Sequence, residues 1–143
     1  MLLHAEQNLA DVPLLEVYSA RERARRGGRD DAIPLIRAII DPLFREGLLL
    51  GWGIPATGVL VEILLDRRAD VDVAEAEVAI ERLAAAPAEE GLVMRDIWLL
   101  RLGALLARAR GDEAAYRDVR DRYRGMAKTL GFEGHIAWAE ALP

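Results

Sequence analysis

Apolar residues recur along this chain at three- and four-residue intervals almost from end to end, and that spacing predicts helices. From Ala32 to Leu49, the residues Ile33, Leu35, Ile36, Ile39, Ile40, Leu43 and Phe44 would cover one side of a helix, with Arg37, Asp41 and Arg45 opposite. Asp30 and Asp31 stand where they could cap its amides, and Pro34 falls in the first turn. Pro42, deeper in, should kink or divide the helix. Asp72-Val73-Ala74-Glu75 has the spacing of a reciprocal N-cap opening a helix that buries Val73, Ala76, Ile80 and Leu83 and stops near Pro87. Leu92 to Ala109 is apolar almost all round, with Arg101 and Arg108 as a narrow polar line, so a central place is expected for it. Gly103 and Ala107 would let a neighbour approach closely. That neighbour carries the stripe Tyr116, Val119, Tyr123, Met126 and Leu130, and a short last helix carries Phe132, Ile136, Ala139 and Leu142. Alternation of the strand type is absent over any useful length.

The breaks between these segments repeat. Arg26-Gly27-Gly28, Arg68-Ala69-Asp70 and Arg110-Gly111-Asp112 each end one helix and precede another, and Arg26, Arg68 and Arg110 stand 42 residues apart. A basic residue closes the first helix and an acidic residue follows at or near the start of the next, as helix dipoles favour. Equal hinge spacing in an all-helical chain is the mark of stacked hairpins. The period exceeds that of a standard tetratricopeptide (TPR) repeat. The expectation is therefore an all-α, TPR-like alpha-alpha superhelix of about three stacked helical hairpins and a short C-terminal capping helix. With 143 residues and no linker-like stretch, residues 1–143 read as a single domain.

Composition narrows the chemistry. There is no cysteine, hence no disulfide, thiolate metal site or thiol nucleophile. The formal charge of -5 argues against nucleic acid as a direct partner. The first residues lack a signal-peptide pattern, and the apolar run from Leu48 to Leu65 is interrupted by Gly51, Gly53, Pro55 and Glu62, so neither export nor a membrane span is expected and the chain reads as cytoplasmic. No phosphate-binding loop precedes Lys128, and the one serine, Ser19, has no activating neighbour. His4 and His135 are far apart in sequence and outside any metal-binding spacing; a packing role suits His135, a turn from Phe132 and Trp138. Glu62 and Asp66 lie one turn apart, and pairing with Arg67 and Arg68 or water outweighs acid-base work. Arg117, Arg120, Arg124 and Lys128 line one side of a helix, where pairs Arg117–Asp121 and Asp118–Arg122 would make a self-neutralised face. No catalytic, cofactor-binding or metal-binding residue is assigned, and no cofactor is expected. The residues placed for an interface or ligand are Trp52, in Gly51-Trp52-Gly53, with Arg95, Trp98, Arg101 and Trp138.

Leu99-Leu100-Arg101-Leu102, Ala107 through Asp112, Tyr116-Arg117, Arg122-Tyr123 and Leu130-Gly131-Phe132-Glu133-Gly134-His135 resemble the C-terminal helical region of large actinobacterial regulators. Those regulators carry a class III adenylate/guanylate cyclase domain and a STAND/AAA-type ATPase module. Leu65 through Asp70 and Ala74-Glu75-Ala76 share the likeness, which covers about two thirds of the chain. The resemblance implies a non-catalytic signal-transduction module that binds a protein partner or another domain of its own regulator. Cyclic AMP synthesis would belong to the parent's other domains, because neither metal-binding aspartates nor a phosphate loop is found here. Were further repeats to precede Met1, the first helices, around Leu2 to Tyr18, would carry uncovered apolar surface through which a homodimer is expected. The alternative is a small-molecule sensor with a pocket between helices near Trp98, of about 300 Å³ or more. A stand-alone hydrolase would need Asp, Glu and His to converge.

Overall fold

The computed structural model describes residues 16–47, 53–86 and 92–143, and every regular element among them is helical. Helix α1 is seen over residues 16–25. It is followed by α2 (Arg29–Arg45), α3 (Gly53–Arg67), α4 (Asp70–Ala85), α5 (Val93–Ala109), α6 (Glu113–Leu130) and α7 (Glu133–Ala141). Helices α3 and α4, α5 and α6, and α6 and α7 pack as sequential neighbours. Across the pairs, α3 meets α2 and α5, and α4 meets α5. This is the TPR-like stack of helical hairpins that the hinge spacing implied. No helix among the described residues is long and apolar enough to cross a membrane.

Each hinge turns on one residue in the left-handed region: Gly27 (φ 97°), Arg68 (φ 66°) and Gly111 (φ 74°). At the second hinge the sequence supplies arginine where the backbone favours glycine, a conformation that costs a side-chain-bearing residue about 1 kcal/mol. The first turn of α4 holds this hinge in place. The Asp72 carboxylate accepts from the Ala69 N–H (3.2 Å) and receives Arg67 through Nε (2.7 Å) and Nη2 (2.5 Å), while Arg67 Nη1 reaches Asp30 on α2 (2.8 Å). Asp72 is only 1% exposed, and the bonds from Arg67 hold its carboxyl below the usual carboxylate range against the opposing effect of burial.

That arrangement corrects the expected start of α4. Asp72 is its third residue, reaching back to the N-cap Ala69, and Glu75 leaves the helix end free by bonding Arg37 on α2 (Nε–Oε2 2.7 Å). Helix α2 also starts earlier than its apolar spacing suggested. Asp30 and Asp31 fall inside its first turn with no capping bond, Pro34 lies beyond that turn, and the helix continues undivided through Pro42 to Arg45. Ile33, Ile36 and Ile40 are buried, whereas Leu35 and Phe44 face outward, Phe44 under the Arg82 guanidinium at 3.9 Å from its ring centre.

The core sits along α3, where eleven residues are buried, against Ile97, Trp98 and Leu102 of α5. Both α3 and α5 occupy the middle of the stack. Gly58 makes their approach possible: a Cβ there would lie 2.3 Å from Trp98 Cζ3 and 2.7 Å from its Cε3. Gly103 faces Val119 of α6, where an added Cβ would meet Cγ1 at an ordinary 3.6 Å. The basic row of α6 is partly paired within its own helix, but through other partners than the expected Arg117–Asp121 and Asp118–Arg122. Arg117 pairs with Glu113 (3.2 Å), Arg120 with Asp121 (3.2 Å) and the Pro143 carbonyl (2.8 Å), and Arg124 donates to the carbonyls of Ala139 (3.1 Å) and Leu142. Two of these arginines thus satisfy carbonyls left open at the end of α7.

Candidate functional site

The first helices of the successive pairs, α1, α3 and α5, share one side of the stack with α7, and between them runs a groove of about 730 Å³. Its apolar lining comes from Ala24, Ile63, Leu65, Leu105, Ala109 and the Trp138 ring. Five arginines border it, Arg21, Arg25, Arg68, Arg101 and Arg108, against two acids, Glu62 and Asp66. The groove is therefore basic in a chain whose net charge is -5.

Helical register brings these groups together. Arg21, Arg25 and Arg108 occupy the groove-facing line of α1 and α5, one turn being enough to repeat a position. At the groove's end, Glu62 receives Arg101 through Nε (3.0 Å) and Nη2 (2.9 Å) and Arg21 at 3.2 Å. Both guanidinium groups also stand over Trp138, Arg101 at 5.0 Å and Arg21 at 5.7 Å from the ring centre. Stacking cations on an indole fixes the ring orientation and leaves its edge for contact. Asp66 is bound by Arg29 at 2.7 Å. Both carboxylates of the one-turn pair are thus ion-pair partners of Arg21, Arg29 and Arg101, not of Arg67 and Arg68.

Behind Trp138 lies an aromatic cluster. His135 is buried and its Nδ1 is 2.7 Å from the Tyr123 hydroxyl. Its ring meets Trp98, Tyr123 and Trp138 edge-on, with centroids 5.2, 5.7 and 5.1 Å away. Burial, reinforced by the nearby Arg101 charge, pushes its pKa down to about 4, so it is neutral near pH 7, with Nδ1 hydrogen-bonded to the Tyr123 hydroxyl. Burial likewise raises the Tyr123 phenol. His135 is a packed, hydrogen-bonded side chain, in keeping with the packing role its sequence neighbours suggested.

On the far side of Trp138 and Trp98, a second and shallower recess of about 470 Å³ is lined by Tyr18, Ile54, Pro55, Leu92, Met94, Phe132 and His135. Trp98 and Trp138 bound it together, and Trp138 is shared with the groove.

Of the residues singled out from sequence, Trp98, Arg101 and Trp138 converge here. Arg95 does not: its Nη1 donates to the Ala86 carbonyl (2.8 Å) just past the end of α4, and it borders neither recess. Trp52 and His4 lie outside the described residues, as does most of the Leu2 to Tyr18 surface expected to dimerise. Arg21, Arg25 and Arg68 were not recognised from sequence. The sequence marks Arg68 only as a hinge residue and an expected partner of Glu62 and Asp66, and its hinge equivalents diverge: Arg26 pairs with Glu22 (3.3 Å) and Arg110 with Glu77. Among the described residues, no group of three or more His, Asp or Glu side chains is placed to hold a metal ion.

No protein-family model, curated protein or solved structure matches the chain.

Proposed function

We propose that this chain is a non-catalytic regulatory module that takes a protein partner, or another domain of its own regulator, into the groove between α1, α3, α5 and α7. The observation that carries the reading is the groove itself: about 730 Å³, open along the stack, mixed apolar and cationic, and built from the repeated helices. Stacked pairs contact mainly their neighbours, so a segment bound across several of them biases the angles between pairs and transmits binding as a change of curvature. The output controlled in this way is that of a nucleotide cyclase or ATPase-type signalling protein, a link supported by the resemblance of the C-terminal half to such regulators.

Two observations test it. The pure chain incubated with ATP and Mg²⁺ or Mn²⁺ is expected to form no cyclic AMP; formation above background would overturn the non-catalytic assignment. In the gene, an in-frame or adjacent cyclase or ATPase segment is expected, and its absence would remove the regulatory link.

A second reading, a small-molecule sensor, is favoured by the aromatic recess beside Trp98, which at about 470 Å³ is large enough for a metabolite. Saturable quenching of tryptophan fluorescence by a metabolite, lost on Met94→Trp, would favour it over the groove.

A further inference from the structure

The groove's charges do not cancel, and the imbalance has a direction. Both of its acids are already neutralised: Glu62 by Arg21 and Arg101, Asp66 by Arg29. Arg68 and Arg108 are exposed and make no ion pair among the described residues. Arg25 has only a long contact of 3.9 Å with Glu22, which also receives Arg26 at 3.3 Å. Three guanidinium groups, one from α1, one from the α3–α4 hinge and one from α5, thus border the same groove without a carboxylate of their own. Between them lie Ile63, Leu65 and Leu105.

Resting on the proposed binding role of the groove, we infer that its occupant is an acidic protein segment: carboxylates spaced to meet Arg25, Arg68 and Arg108, with apolar side chains between them. Guanidinium forks match carboxylates in bidentate geometry, and unpaired ones on a concave surface concentrate the field on the groove rather than on the surrounding face. A nucleic acid fits worse. Its phosphates continue past the groove onto a protein surface that is acidic overall, with net charge -5, and their repulsion there grows with length. An acidic segment ends its charge where the groove ends.

The test pans a phage-displayed library of random 12-residue peptides against the immobilised full chain. The Arg25→Gln/Arg68→Gln/Arg108→Gln variant, its fold verified by circular dichroism, is panned in parallel. The expected result is enrichment of net-acidic peptides with interspersed apolar residues on the unsubstituted chain alone. A synthetic copy of an enriched peptide should bind the triple variant about tenfold more weakly at low salt, each arginine contributing a factor of about two to three. Replacing its Glu and Asp by Gln and Asn should cost as much, whereas Arg117→Gln/Arg122→Gln on α6 should cost nothing. Enrichment of neutral peptides held equally by the triple variant but lost on Trp138→Ala would overturn the acidic assignment while leaving the groove as a binding site. Tighter binding of a single-stranded DNA oligonucleotide than of any enriched peptide would overturn it too. No enrichment at all would remove both the acidic assignment and the groove reading.

Discussion

Gly58→Ala sets two effects of known sign against each other. In mid-helix, alanine is favoured over glycine by about 1 kcal/mol, so on propensity alone the substitution stabilises α3. The packing says otherwise. The new methyl would stand 2.3 Å from Trp98 Cζ3, 2.7 Å from Cε3 and 3.0 Å from Cη2, where carbon atoms are comfortable at about 3.5–4.0 Å. The obstacle is a rigid ring, 6% exposed, with its own neighbours His135 and Trp138 at centroid distances of 5.2 and 5.5 Å. Relief therefore requires α3 and α5 to part or the aromatic cluster to move. Overpacking of this kind costs about 1–3 kcal/mol, so against the propensity gain the net expectation is a loss of up to about 2 kcal/mol. Urea denaturation followed by far-UV circular dichroism measures it. In a Trp98→Leu background the clash is gone, and Gly58→Ala should be neutral or stabilising there, giving a coupling of at least about 1 kcal/mol between the sites. A stabilised single variant, or a cost that persists in the Trp98→Leu background, would refute the reasoning.

His135 should make stability fall on acidification. Its folded-state pKa of about 4 lies below the unfolded value near 6.5, so the unfolded chain binds the extra proton first, and stability is lost as pH falls from about 6.5 towards 4. Between pH 7 and 4.5 the loss assignable to this group is about 2–3 kcal/mol, read as the difference in urea-denaturation free energies between the unsubstituted chain and His135→Asn; equal pH dependence in both would contradict it. Asp72→Asn removes the charge that Arg67 engages twice beside a left-handed hinge, and should cost about 2–3 kcal/mol at pH 7. Because Asp72 is held below its unfolded pKa, that cost should shrink as pH drops below about 4 in the same denaturation series, and a cost unchanged by pH would count against the ion pair as its cause.

What could be read from the sequence came from local periodicity. The α5 and α6 boundaries, the three hinges and the inward place of Tyr123 all rest on spacings within a few residues, where helix geometry leaves little choice. Cap positions were less legible, because an aspartate near a helix start can serve as N-cap or as third residue, and Asp72 took the second role by reaching back to Ala69. The candidate site was legible only in part. Trp98 and Arg101 stand out as a bulky and a charged residue in an apolar helix, but their partners are distant: Glu62 lies 39 positions before Arg101, and Gly58 reads as a weak helix residue until Trp98 is laid across it. The arginines of the groove carry no local mark either. Their significance comes from which acids are already engaged, and that is a property of the packed stack.

The central claim, that a partner segment lies in the groove bordered by Arg25, Arg68, Arg108 and Trp138, is tested most directly by ¹H–¹⁵N spectra of the full chain titrated with a peptide enriched from the random library. Saturable shifts are predicted in α1, α3, α5 and the Trp138 indole, with Glu113, Arg117 and Arg122 on the outer face of α6 unmoved. Shifts confined to α2, α4 or the outer face of α6, with the Trp138 indole unchanged at saturation, would contradict it.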